Sequence, residues 1–227
     1  MKNTLVALAV VLMVSAVFGD EARIDLRIAG GTTWARYTRL PSIVSIPEAG
    51  YELAWHTGAA VGVGLELTFP FTGSMAIVHA LEYTRKGTSL DWYLWDDPVG
   101  TQSYSLDTLD YSTFVKIMPF SKLGLFFLSG FSMSYILGHK LVDDMALPRP
   151  TEQNLMSATR RFDVGLLAGA GGEFGFKKWA VFAEFRYHWG LLDLSRGTGP
   201  LENYPVIRTR ALVLLAGIRY SLAKREL

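Results

Sequence analysis

His188 has the best claim to chemistry in this chain. On an alternating pattern it shares one face with Arg186, two positions away, and Glu184, four away, and Asp193 and Ser195 follow a few residues on. A histidine beside a carboxylate and a hydroxyl can serve as general base to a nucleophile, the constellation of hydrolases and acyltransferases. The same residue types also build structural ion-pair networks, and the charges spread along the rest of the chain favour that reading. His56, His79 and His139 lack metal-ligand spacing. The carboxylate pairs Asp96–Asp97 and Asp143–Asp144 carry no EF-hand pattern. Gly30–Gly31 and Gly169–Gly172 are not followed by a helix that could complete a phosphate cradle. The chain contains no cysteine, which excludes disulfides, thiolate metal sites and a cysteine nucleophile. No catalytic residue, metal or cofactor is therefore expected.

The elements that would carry these residues alternate with period two. In Gly58–Phe69, Ala59, Val61, Val63, Leu65, Leu67 and Phe69 line one face, and Gly62, Gly64, Glu66 and Thr68 the other. In Ala180–Leu191, Val181, Ala183, Phe185, Tyr187 and Trp189 oppose Phe182, Glu184, Arg186 and His188. Alternation over such lengths means strands. Eight are expected, at 23–37, 56–69, 74–86, 106–118, 123–137, 159–176, 180–194 and 206–222. Soluble strands average about five or six residues, whereas a tilted strand needs about 9–11 to cross a membrane.

Short and long connections alternate. Pro70–Gly73, Pro119–Lys122 and Lys177–Trp179 are tight turns, and 38–55, 87–105, 138–158 and 195–205 are expected to be long loops. Aromatic residues gather at both ends, including Phe120, Phe176, Trp179 and Tyr220 near the turns and Tyr37, Trp55, Tyr83 and Trp189 towards the loops. Together these features predict an all-β, eight-stranded, antiparallel up-and-down transmembrane β-barrel. Its short turns are periplasmic and its long loops extracellular.

Composition agrees. Half the chain is hydrophobic and 13% aromatic, and the mean hydropathy is +0.22, so it is not disordered. With 22 Lys+Arg against 21 Asp+Glu it has no basic footprint for nucleic acid. Residues 1–19, a lysine followed by an apolar run and small residues ending at Val17 and Gly19, read as a cleaved signal peptide. The run is too short for a spanning helix, which needs about 20 apolar residues. Removing it takes away Lys2 and no acid, leaving 20–227 as one charge-balanced barrel domain.

Inward positions carry both signs of charge. Arg27, Glu66, Glu82, Lys116, Asp163, Glu173, Glu184, Arg186, His188 and Arg219 are expected to form a lumen ion-pair network, with Asp25, Lys86 and Asp110 on the same face. Eight strands enclose an interior that side chains can fill, and glycines at 58, 62, 64, 165, 169 and 171 make room for the long ones. In the loop 87–105, Trp92, Tyr93, Trp95 and Tyr104 are expected to contact a partner or cover the barrel mouth.

The C-terminal half resembles the last three strands of the PorT-like outer-membrane β-barrel family. The matching features are the glycine-rich strand Gly165–Glu173, then Glu184, Arg186, Tyr187, Gly190 and Leu191, then Gly217, Arg219 and Tyr220. Upstream, LEYTRKG (81–87) and LDYSTFVK (109–116) resemble the third and fourth strands. The family's fourth-strand proline falls here at Ser112, and its terminal aromatic at Leu222, ahead of a five-residue tail.

The resemblance covers most of 23–222. It implies an outer-membrane barrel of a Bacteroidetes-type, Gram-negative-type bacterium, with a namesake in a secretion apparatus. Outer-membrane lipid, the barrel-insertion machinery and an envelope protein are the expected partners. Two other readings are an outer-membrane enzyme acting on lipid or peptide near His188, and an exported soluble barrel of the lipocalin kind.

Overall fold

A computed structural model of the chain describes residues 23–38, 49–69, 74–95, 97–120, 123–145, 151–197 and 207–222. Residues 1–19, expected to be a signal peptide, residues 70–73, expected to be a tight turn, Asp96 and residues 223–227 lie outside the described residues. The strands are β1 Arg23–Thr38, β2 Ala49–Thr68, β3 Met75–Leu94, β4 Asp97–Phe120, β5 Leu125–Met145, β6 Thr151–Asn154, β7 Phe162–Phe176, β8 Trp179–Gly190 and β9 Arg208–Ser221.

Eight of these close a ring, and β6 is a short addition beside β5. All pairings are antiparallel, between strands consecutive in the ring, with β5 meeting β7 past the short β6. Closure comes from β1 against β9, with Asp25 opposite Ser221 and Thr38 opposite Arg208. Closure removes every edge within the membrane, where an unpaired backbone group would cost several kcal/mol (about the price of an unmade hydrogen bond in hydrocarbon).

Alternation along each strand sends apolar residues to the outer surface. Ile28, Val61, Val63, Leu81, Val115, Phe127, Phe131, Leu166, Phe185, Leu214 and Ile218 are all exposed, a band that only a hydrocarbon environment accommodates. Phe120, Phe174, Phe176, Trp179 and Tyr220 lie at the short-turn end of it. His79, an odd residue for this face, does point outward, in register with Thr113. It is satisfied by the Tyr111 hydroxyl at 2.9 Å and Thr113 Oγ1 at 3.1 Å, and it stacks on the Tyr111 ring. Neither a bulge nor a slip of register is needed there.

The long connections differ most from expectation. Residues 87–105 are not a loop: β3 and β4 continue through them and turn at Trp95, whose φ of 57° is in the left-handed region. β2 starts at 49 and β5 runs to 145, so half of 38–55 and much of 138–158 are strand as well. The outer ends of β2, β3, β4 and β5 together with β6 therefore form a sheet standing above the lipid band. Bulges at Trp55/Ala60 and Asp107/Thr108 mark where strands leave the membrane, positions where a bulge re-aims the chain.

Candidate functional site

The lumen holds one connected chain of ion pairs built from seven of the eight ring strands. Arg219 binds Asp25 at 2.5 Å, Glu173 at 3.0 Å and Glu66 at 3.4 Å. Lys116 binds Glu173 at 2.5 Å and Glu66 at 2.9 Å. Arg27 links Glu66, at 3.6 Å, to Glu184, at 2.8 Å. Arg186 then bonds Glu184 and reaches Glu82 at 2.8 Å. Arg23 adds a further contact to Asp25 at 2.8 Å.

Buried charges are costly unless compensated, and here each carboxylate meets at least one cation. The cations are also laid on aromatic rings: Arg27 on Phe182 at 4.1 Å, Arg186 on Phe114 at 4.6 Å and Lys116 on Phe126 at 4.7 Å. Phe114 and Phe126 belong to an apolar cluster with Val78, Met118, Leu128 and Leu167 that fills one side of the lumen. A void of about 10 Å³ lies against Arg27, Glu82, Glu184 and Arg186, the space of roughly one water molecule.

Glycine makes this packing sterically feasible at two positions in particular. A methyl at Gly62 would stand 2.4 Å from Glu82 Cγ, and one at Gly171 2.5 Å from Phe126 Cζ. Both long side chains occupy the room these glycines leave.

Two of the expected network members stand apart. Asp163 makes no ion pair among the described residues. It accepts from Thr209 Oγ1 and the Leu192 amide, both at 3.2 Å. Neither ring nitrogen of His188 has a hydrogen-bond partner among the described residues. A separate pair, Lys86 to Asp110 at 2.8 Å, lies nearer the outer end, with Thr84 bonded to Asp110. Asp193 and Ser195 are not turned towards His188. Asp193 accepts the amides of Ser195 at 3.0 Å and Ile207 at 2.8 Å, and Ser195 Oγ accepts the Gly197 amide at 3.0 Å. They staple a connection.

The outer end is closed by a second, apolar core, to which the irregular segments after β5 and β8 contribute as well as the strands. It gathers Tyr37, Leu90, Tyr104, Leu106, Ile136, Leu155, Ala158, Leu194 and Ile207, with Leu53, Trp92, Leu141 and Met156 against it. Of the four aromatic residues expected to contact a partner or cover the barrel mouth, two are turned inward and cover it. Tyr104 is only 2% exposed, and Trp92 packs on the core while donating to Gln102 Oε1 at 3.2 Å. Tyr93 is half-buried, and Trp95, at the hairpin tip, is 68% exposed. Asp143 accepts from Gln102 Nε2 at 3.1 Å on the face opposite to that of Asp144, so the pair cannot chelate one ion. No group of three or more metal-ligating side chains occurs among the described residues.

Within this cap His139 is held in one tautomer. Thr159 Oγ1 donates to the Leu155 carbonyl at 2.7 Å, so it must accept from His139 Nδ1, also at 2.7 Å. Nε2 is then left to accept from the Tyr37 hydroxyl at 3.0 Å. Burial lowers the imidazole pKa from 6.5 to about 4 and pushes the Tyr37 phenol well up. Because the folded pKa lies below the unfolded one, the neutral ring's contribution is complete above about pH 6.5 and is lost as pH falls towards 4. Urea-unfolding midpoints of the detergent-refolded barrel are expected to drop between pH 7 and pH 4.5, and His139→Gln to flatten that slope. An unchanged slope in His139→Gln would refute the assignment.

A closed antiparallel ring with a lipid-facing apolar wall and its charges inside is an outer-membrane β-barrel protein, placed in the outer membrane of a Gram-negative-type bacterium. The chain belongs to the outer membrane protein beta-barrel domain family, whose profile matches residues 18–196. No curated protein matches it in sequence.

Among solved structures it is similar to the Neisserial surface protein A, at 13% identity and TM-score 0.43, covering 86% of this chain and 96% of that one. The Yersinia pestis attachment invasion locus protein Ail shows 14% identity and TM-score 0.42 over 86% and 98% of the two chains. Pseudomonas aeruginosa OprG shows 12% and 0.44 over 91% and 99%.

Proposed function

We propose that the protein is a non-enzymatic outer-membrane barrel, closed to solutes, whose working surface is the extracellular sheet formed by the outer ends of β2 to β5 and by β6. The observation that carries this reading is the filling of the lumen: a continuous ion-pair network, an apolar wall and, above them, the cap. A filled barrel is a rigid post, and rigid scaffolds place function on what they display. The separation of Asp193 and Ser195 from His188 argues against a hydrolytic or acyl-transfer site there. The exposed Trp95 tip is the natural point of contact with an envelope partner. A link to a secretion-associated assembly rests on the resemblance to the PorT-like family alone.

Complementation of a deletion strain tests the proposal, scoring detergent sensitivity of the envelope and retention of exported proteins. His188→Ala is expected to restore wild-type behaviour. Replacing Trp95 at the tip and Val99, exposed at the start of β4, by serine is expected to leave the barrel folded but fail to complement. The opposite pattern, with loss of rescue in a folded His188→Ala barrel, would overturn it.

A further inference from the structure

The outer surface carries an arrangement that the lumen and the cap do not explain. Arg36 on β1 and Arg210 on β9 are direct cross-strand partners, and the buried neighbours Ala35, Tyr37, Thr209 and Ala211 show that both point outward. Arg208, opposite Thr38, stands two positions above Arg210 on the same face. Like charges placed directly opposite on a sheet destabilise it. No ion pair among the described residues reaches any of these three arginines.

The opposite wall treats the same problem differently. At the corresponding level of β3, Arg85 is neutralised by its own cross-strand partner Asp107 at 2.8 Å. The unneutralised pair is moreover held against two indoles, Arg36 over Trp55 at 4.8 Å and Arg210 over Trp189 at 5.7 Å. Trp55 and Trp189 are 39% and 45% exposed, at the depth where amphipathic rings mark the membrane interface. The stacking draws the two guanidiniums apart, Arg36 towards β2 and Arg210 towards β8, on either side of the β1–β9 seam, and the Nε of Arg210 is buried without a hydrogen-bond partner.

We propose that Arg36, Arg210 and Arg208 form a binding site for the phosphate of an outer-leaflet lipid. A phosphate seated over the β1–β9 seam, between the two guanidiniums, turns their repulsion into charge-assisted hydrogen bonds from either side, a role for which arginine is better suited than lysine. The site faces out of the barrel at the extracellular edge of the lipid band, directly above the apolar surface of β1 and β9 formed by Trp34 and Leu212. A lipid, whose phosphate sits at that depth and whose chains lie on that surface, fits it better than a free ion.

The test uses the full refolded chain in zwitterionic detergent, with phosphorylated lipid A, dephosphorylated lipid A or millimolar inorganic phosphate as probes. Unfolding midpoints and lipid retained in native mass spectrometry are the readouts. Phosphorylated lipid A is expected to raise the wild-type midpoint and to stay bound, with affinity falling about tenfold for each arginine removed in R36Q and R210Q. Without lipid, R36Q/R210Q is expected to unfold no more easily than wild type, since a repulsion has been removed. R85Q, on the opposite wall, is expected to bind lipid A as wild type does. Equal retention of phosphorylated lipid A by R36Q/R210Q, equal retention of dephosphorylated lipid A, or an equal midpoint shift with inorganic phosphate would each overturn the proposal.

Discussion

Glu66→Gln is expected to destabilise the folded barrel by about 3–5 kcal/mol, the cost of leaving buried charge without its partner. Glu66 is fully buried and faces three cations: Lys116 at 2.9 Å, Arg219 at 3.4 Å and Arg27 at 3.6 Å. Glutamine keeps the shape and removes the charge, so the loss reads electrostatics and not a cavity. Lys116 and Arg219 retain Glu173, and Arg27 retains Glu184, so the network is weakened and not dissolved. Adding Lys116→Met to Glu66→Gln removes one charge of each sign and is expected to recover part of the loss, as coupled partners do. Urea unfolding followed by tryptophan fluorescence, or the heat-induced shift in gel migration, measures both. A change below about 1 kcal/mol in Glu66→Gln would place these charges in a water-like setting, where ion pairs contribute little.

Tyr104→Ala is the second substitution with a large expected effect, about 3–5 kcal/mol for truncating a buried aromatic side chain. Tyr104 meets Tyr37 edge-on at 6.0 Å and lies 6.3 Å from the His139 ring, in the middle of the extracellular core. The damage is expected to be local. The β3–β4 hairpin should become sensitive to added protease while the membrane-embedded ring remains heat-modifiable, because the two cores do not share side chains. Trp95→Ala, at the exposed tip of the same hairpin, is expected to leave protease sensitivity unchanged. If Tyr104→Ala behaves like Trp95→Ala, the cap does not hold the extracellular sheet together.

These two residues also mark what was legible in the sequence. Period-two alternation located the eight ring strands because the lipid band demands apolar residues at every outward position, as in Val61, Val63 and Leu65. It placed Glu66, Arg186 and Arg219 on the inner face for the same reason. The alternation does not stop at Lys86, where the third strand was expected to end; its polarity inverts. Above the membrane, Ser89, Asp91, Ser103 and Ser105 face water, while Leu90, Trp92, Tyr104 and Leu106 face in. A strand with polar residues outside and apolar ones inside reads as a loop when the opposite pattern is being sought.

The inward parity of Tyr104 is the signal that separates covering the barrel mouth from contacting a partner, the two roles expected of it. Leu155, Ala158, Leu194 and Ile207 had no such signal, since they come from irregular segments that only the closed ring brings together. His188, beyond Arg186 on β8, and Asp163, at the start of β7, share the parity of the network but sit nearer the extracellular end than its last cation, Arg186. Parity fixes the face and not the partner.

Single-channel recording in a planar bilayer is the sharpest test of the proposal that the barrel is filled. The purified full chain, inserted and shown by heat-modifiability to be folded, is expected to give no steady opening above the bare-membrane baseline at any applied voltage. A large, stable open level would contradict it, because ions would then be crossing a lumen spanned by Arg27, Lys116, Arg186 and Arg219 and their carboxylates.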